Sequence, residues 1–245
     1  MATSQMRLRC SAMASRGALR TATSSSASTA TAAVVFGHGL GDTPDGWREP
    51  CQLWSQRLPW IRFALPAAPT RNVTFAGGMQ LPAWYDITGL PDRLKEKAEG
   101  IEESRSQWTQ YIETEASHVG GMDRVVLGGF SQGGAMALDV ALSGGTSALP
   151  AGVLCMSGYL PNKASVVQRA STLDREALAE LPVLLCHGIV DEMVTIDTAR
   201  RTRDALLELG LRRVELLEYS GMGHEATMEE LDDVADWLKR QLPTK

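Results

Sequence analysis

Beyond about residue 31 the chain alternates between two hydrophobic rhythms. Short apolar runs recur as "AAVVF", "IRFAL", "RVVLGG", "AGVLCMS", "PVLLCH" and "RRVELLEY". Most are continuous rather than alternating, the pattern of strands buried on both faces of a parallel sheet. Between them, apolar positions return with a period near 3.6. "TARRTRDALLELG" sets Ala199, Leu206 and Leu207 on one face and stops at Gly210, a residue suited to a helix C-terminus. "MEELDDVADWLKRQL" sets Leu231, Val234, Leu238 and Leu242 on one stripe. Its acids come early and Lys239 and Arg240 late, which complements the helix dipole. Alternating strands and helices predict a three-layer α/β domain over residues 34–245, with a mostly parallel central sheet and helices on both faces.

The first 33 residues break this rhythm. They are rich in Ala, Ser and Thr, their only charges are Arg7, Arg9, Arg16 and Arg20, and the first acid of the chain is Asp42. Basic, serine-rich and acid-poor composition fits either an organelle transit peptide, mitochondrial or plastid, or a disordered arm. The whole chain has 245 residues, a length that suits one large domain. A net charge of -5 gives no basic footprint for nucleic acid. No apolar run approaches the roughly 18 residues of a membrane span, so a soluble protein is expected. Cys10, Cys51, Cys155 and Cys186 form no C-x-x-C pair and no metal-ligand spacing. Such usage suits a reducing, cytoplasmic setting without disulfides or zinc.

The chemistry concentrates where "RVVLGG" runs into "FSQGGAMALDVAL". A phosphate loop would need lysine where Gly134 stands, and Phe130 interrupts the dinucleotide pattern G-x-G-x-x-G. Gly129, Phe130, Ser131, Gln132 and Gly133 do fit G-x-S-x-G, after a strand and at the opening of a helix. In that turn the serine takes a strained backbone conformation, and its neighbours two residues away must be small. The helix N-terminus behind it favours developing negative charge.

A serine hydroxyl needs a base and an acid to orient that base. Of the four histidines, His118 ends a polar helical segment, while His38 and His187 precede glycines at the ends of buried strands. Only His224, in "YSGMGHEAT", leaves room for an acid after Ser131 in the order Ser, acid, His. Asp191, just beyond the strand "PVLLCH", is the best placed acid, with Glu192 and Asp197 as competitors. Oxyanion donors would be the N–H of Gln132 and one from the glycine-punctuated loop "GHGLGD", with Leu40 the choice.

Several motifs together resemble the acyl-protein thioesterase and phospholipase/carboxylesterase family. They are "HGLGD", "PAAP", "PAWYD", "GFSQGGA", "CHG" followed by Asp191, and "GMGH", in the family's order from about Thr31 onward. The resemblance implies an α/β-hydrolase fold, a Ser131–Asp191–His224 triad, no cofactor and no metal. It implies acylated proteins, small acyl esters or lysophospholipids as substrates, with transient contact at a membrane surface. Two features depart from the pattern. This chain has "DEMV" at the acid where the family commonly has Asp-Pro or a similar pair with Val, and "TATSSSASTA" is a poor strand where the family usually has an extra first one.

Residues 70–91, "TRNVTFAGGMQLPAWYDITGLP", are too apolar and glycine-broken for an ordinary solvated loop. They are expected to wall an acyl groove with Phe75, Met79, Leu81 and Trp84, against the alternative that Trp84 and Tyr85 are core. The activity expected is serine-dependent hydrolysis of acyl thioesters or esters, foremost protein depalmitoylation. Short-chain carboxylesterase or lysophospholipase activity is the alternative, and a non-catalytic hydrolase-fold binding module is the alternative of another class.

Overall fold

The computed structural model describes residues 30–89 and 92–244. All six apolar runs are strands: β1 (Ala32–Gly37), β2 (Ile61–Ala64), β5 (Val125–Phe130), β6 (Gly152–Met156), β7 (Val183–Gly188) and β8 (Val214–Tyr219). They form one sheet in the order β2-β1-β5-β6-β7-β8, every pair parallel. A separate antiparallel hairpin, β3 (Thr70–Val73) with β4 (Met79–Pro82), fills part of the segment expected to wall a groove. The first strand starts two residues before the expected boundary at 34. Residues 1–29, which hold most of the arm and all but the last residue of the poor strand stretch, lie outside the described residues.

The strand order explains where the helices go. Parallel strands need right-handed crossovers, so reversing the direction of travel across the sheet moves the helices to the other face. From β1 to β2 the chain travels one way and places α1 (Arg48–Arg57) on one side. From β5 to β8 it travels the other way, and α3 (Gln132–Ala141), α4 (Lys163–Ala170), α5 (Arg175–Glu180) and α6 (Ile196–Glu208) cover the opposite side with α2 (Ile101–Val119). Helix α7 (Met228–Gln241) returns beside α1. The α1–α7 pair is fastened by Trp54 Nε1–H donating to Leu231 O at 2.9 Å and by Arg57 reaching Asp232 and Asp236.

The predicted face of α7 is buried along its length, from Leu231 to Leu242. On α6 the expected Leu207 instead points outward, because Ala199, Thr202, Ala205 and Leu206 already fill the strip against the sheet. At the amino-terminal edge of the sheet, the buried Arg124 guanidinium donates to Thr31 O at 2.8 Å and Pro243 O at 2.7 Å. No helix among the described residues is long and apolar enough to cross a membrane.

Candidate active site

The direction of travel reverses between the adjacent strands β1 and β5. Loops leaving the carboxyl ends of such a strand pair part to opposite faces and open a crevice. The glycine loop at residues 38–42 follows β1, and the serine turn follows β5.

Ser131 stands at that turn with φ 53° and ψ -118°, a conformation that side chains rarely adopt. Such backbone costs of order 1–3 kcal/mol and survives only where its surroundings hold it. Here Ser131 N–H donates to Met156 O at 2.8 Å and Ser131 O accepts from Ala135 N at 3.0 Å. A β-carbon on Gly129 would lie 2.3 Å from Gly133 C, and one on Gly133 would lie 2.1 Å from Gly37 O. The glycines are therefore steric requirements of the elbow and of its seat against the β1 loop.

The serine, histidine and acid meet in single file. Ser131 Oγ and His224 Nε2 are 2.9 Å apart, and His224 Nδ1 and Asp191 Oδ2 are 2.7 Å apart. Asp191 Oδ1 accepts from the Met193 and Val194 amides, both at 2.9 Å, so "DEMV" forms a closed turn around the carboxylate. Burial pushes the Asp191 carboxyl up, but the His224 hydrogen bond and charge, the Val194 amide and His187 outweigh it and hold the group below its ordinary value. The His224 ring lies 5.0 Å from the Phe130 ring, which packs on Trp47. Glu192 and Asp197 point to solvent instead.

The other buried histidines brace the loops. His187 Nε2–H donates to Val194 O at 2.7 Å and lies 3.5 Å from Asp191 Oδ2, beneath the turn that carries the acid. His38 Nδ1–H donates to Gly39 O at 2.8 Å while Nε2 accepts from Ala68 N–H at 3.1 Å. Burial is the chief cause that lowers the pKa of both rings.

Of the expected groove residues, Phe75 and Met79 are exposed on the hairpin, at 57% and 60%, and Leu81 is half-buried. Trp84 is not a groove wall. It is fully buried, packs edge-on against Trp108 and donates its indole N–H to His38 O at 2.9 Å. An aromatic run with an N–H to satisfy can serve the core equally well, and here Tyr85 does so too, sharing a buried 2.9 Å hydrogen bond with Tyr159. Residues 90–91 of that segment lie outside the described part. An open groove of about 870 Å³ lies elsewhere, between Leu94, Val167 and Ala205, and includes no member of the Ser131 constellation. Among the described residues no group of three or more His, Cys, Asp or Glu is arranged to hold a metal ion.

Sequence reasoning missed the side chain of Gln132, singled out only for its backbone. Its Oε1 accepts from Trp84 N–H at 2.8 Å and its Nε2 donates to Tyr85 O at 2.7 Å. It also missed Asp139, buried in an apolar helix and paired with Arg105 and Arg169. No local pattern marks either, since the partners come from distant segments.

Residues 20–242 match the phospholipase/carboxylesterase family. The chain is 38% identical over 220 residues to acyl-protein thioesterase 1 of Neurospora crassa, covering 87% of this chain and 88% of that one. It is 34% identical over 217 residues to acyl-protein thioesterase 1 homolog 1 of Dictyostelium discoideum, covering 88% and 92%. Among solved structures, acyl-protein thioesterase 2 of Zea mays superposes with a TM-score of 0.75 at 30% identity, covering 91% of this chain and 99% of that one. SOBER1 of Arabidopsis thaliana gives 0.77 at 27% identity, covering 86% and 99%. With the serine elbow, the acid and the histidine all inside the matched span, the chain belongs to the phospholipase/carboxylesterase family.

Proposed function

We propose that this chain removes acyl groups from proteins by thioester hydrolysis, long chains foremost, through an acyl-serine on Ser131. The observation that supports the chemistry best is the file of hydrogen bonds from Asp191 through His224 to Ser131 Oγ. The Asp191 carboxylate accepts Nδ1–H, which leaves the Nε2 lone pair facing the hydroxyl. As Oγ attacks the acyl carbonyl, Nε2 takes its proton, and Asp191 stabilises the imidazolium that forms. The tetrahedral oxyanion then expels the thiolate, which takes the proton from Nε2. Water attacks the acyl-serine by the same route and restores Ser131.

The oxyanion donors in this reading are the Leu40 and Gln132 amides. Among the described residues neither N–H donates to a protein acceptor, and Gln132 opens α3 with its free N-terminal amides. Each such donor is worth roughly 2.7–4 kcal/mol in the transition state.

The names of the relatives support protein-linked acyl groups as substrates. We place the acyl chain along the hairpin beside Phe75, Met79 and Leu81, because its end is bonded to the glycine loop through Gly41 N–H to Pro82 O at 2.8 Å. The free, buried Cys51, Cys155 and Cys186 fit a reducing intracellular compartment, and exposed Phe75 and Met79 fit transient contact with a membrane surface.

The test is kcat/KM over matched thioesters and oxyesters from acetyl to palmitoyl, with Ser131→Ala as blank. A rise toward palmitoyl thioester is expected. A maximum at short esters, with thioesters no better, would make the protein a small-molecule carboxylesterase and refute the proposal.

A further inference from the structure

We infer that the Gln132 side chain and residues 82–85 form one positioning unit that aligns both oxyanion donors. This rests on the hydrolase reading of Ser131 and on Leu40 and Gln132 as the donors. After β4 the chain crosses the interior without joining the sheet, yet most of its polar groups are taken up in turn. Pro82 O accepts from Gly41 N–H and Ala83 O from Arg71 Nε, at 2.8 Å each. Trp84 O accepts from Ser104 Oγ, and the Trp84 indole donates to His38 O. The Gln132 amide takes both Trp84 N–H and Tyr85 O.

The two donors thereby share one reference. Leu40 sits between His38 and Gly41, each bonded to this strap. Gln132 is bonded to it by its own side chain, one residue from the nucleophile. Gly133, backed against Gly37 O, leaves no slack between the two loops. Glutamine suits the place because its end offers an acceptor and a donor together. An ionised glutamate lacks the donor, and methionine lacks it too and offers only a weakly accepting sulfur. Either would leave Trp84 N–H or Tyr85 O unpaired where Gln132 is 1% and Trp84 0% exposed. The strap would shift, and both amides with it, while Ser131, His224 and the acyl groove kept their places. Gln132 is thus a positioning residue whose side chain acts through two backbone amides.

The test compares Gln132→Met, Gln132→Glu and Trp84→Phe with wild type in the full chain. Active sites are counted by end-point labelling with a fluorophosphonate. kcat per labelled site and KM are read with a short-chain thioester. Binding of a trifluoromethyl ketone, a mimic of the tetrahedral state, is compared with binding of the fatty-acid product.

For Gln132→Met we expect kcat per site and ketone affinity to fall together by about 10²-fold, the cost of a small misplacement at the reacting centre, with KM within about twofold. Trp84→Phe, which deletes the N–H to His38 together with part of the ring packed on Trp108, should lose about tenfold or more and combine less than additively with Gln132→Met. Gln132→Glu should recover relative to wild type as pH falls, because a protonated carboxyl again offers donor and acceptor. Wild-type kcat per labelled site in the Gln132 variants would overturn the inference. So would losses confined to the number of labelled sites, or a Gln132→Glu deficit that pH does not change. A wild-type chain that neither labels nor hydrolyses would overturn the hydrolase reading itself, an outcome distinct from these.

Discussion

Glu230 offers the sharpest test of the electrostatics. It occupies the third position of α7, directly after the loop that carries His224, and is fully buried among Cys186, Tyr219 and Asp233. Its amide donates to Thr227 Oγ1 at 3.3 Å, one half of a capping box, but among the described residues neither carboxyl oxygen makes a well-aligned hydrogen bond. Burial pushes its pKa from 4.5 up to about 8, and Asp233 adds to the shift against the Thr227 amide. A raised acid binds its proton more tightly in the folded chain than in the unfolded one. Folding stability from this group is therefore full below pH 4.5, falls as pH rises, and is spent above about pH 8.

At about 1.36 kcal/mol per pKa unit, a shift from 4.5 to about 8 amounts to roughly 5 kcal/mol. Glu230→Gln keeps the shape and the capping geometry and removes the titration. Urea unfolding of both proteins, at intervals from acid to mildly alkaline pH, isolates this group because the other titrations cancel in the difference. The variant should match wild type in acid, gain about 1.4 kcal/mol per pH unit, and level off above about pH 8. A difference independent of pH, or a variant less stable than wild type at pH 8, would refute the reasoning.

Three further predictions concern the elbow and the core. Ser131→Gly should be more stable than Ser131→Ala by about 1–3 kcal/mol, because only glycine relieves the positive φ, and equal melting points would show that the turn stores no strain. Gly133→Ala must displace Gly37 backbone, so kcat should fall about 10²-fold or more, and near-wild-type turnover would count against the close seating of the two loops. Asp139→Ala strands Arg105 and Arg169 beside each other and should cost about 3–5 kcal/mol in chemical denaturation, whereas a loss below 1 kcal/mol would mean that solvent reaches the pair.

What could be read in the sequence follows from which forces act locally. Strands buried on both faces must be apolar throughout, so β1, β5, β6 and β7 announce themselves, as does the one-sided stripe of α7. The elbow is legible because its glycines answer to sterics within five residues. The hairpin and the strap are not, since Thr70 to Val73 has no alternation and residues 82–85 are held by Gly41, Arg71, Ser104, His38 and Gln132 from elsewhere in the chain. Trp84 misled for the same reason: an apolar side chain in a loop-like stretch says that something covers it, not whether that is substrate or core. Leu207 failed through competition, its strip of α6 being filled by Ala199, Thr202, Ala205 and Leu206. Buried acids such as Asp139 and Glu230 stay hidden because their surroundings are set by tertiary packing.

Arg124 ties Thr31 to Pro243 at the edge of the sheet where the parallel strands begin, while the elbow and its partners stand where they end. Cargo joined ahead of Ala30 or after Thr244 therefore starts on the far side of the domain from the crevice. An affinity tag, a fused domain or a surface linker at either place would hold the enzyme with its mouth turned outward. A short bridge across the two places, with new termini cut into an exposed loop such as residues 143–148, would yield a circular permutant with the crevice still unobstructed.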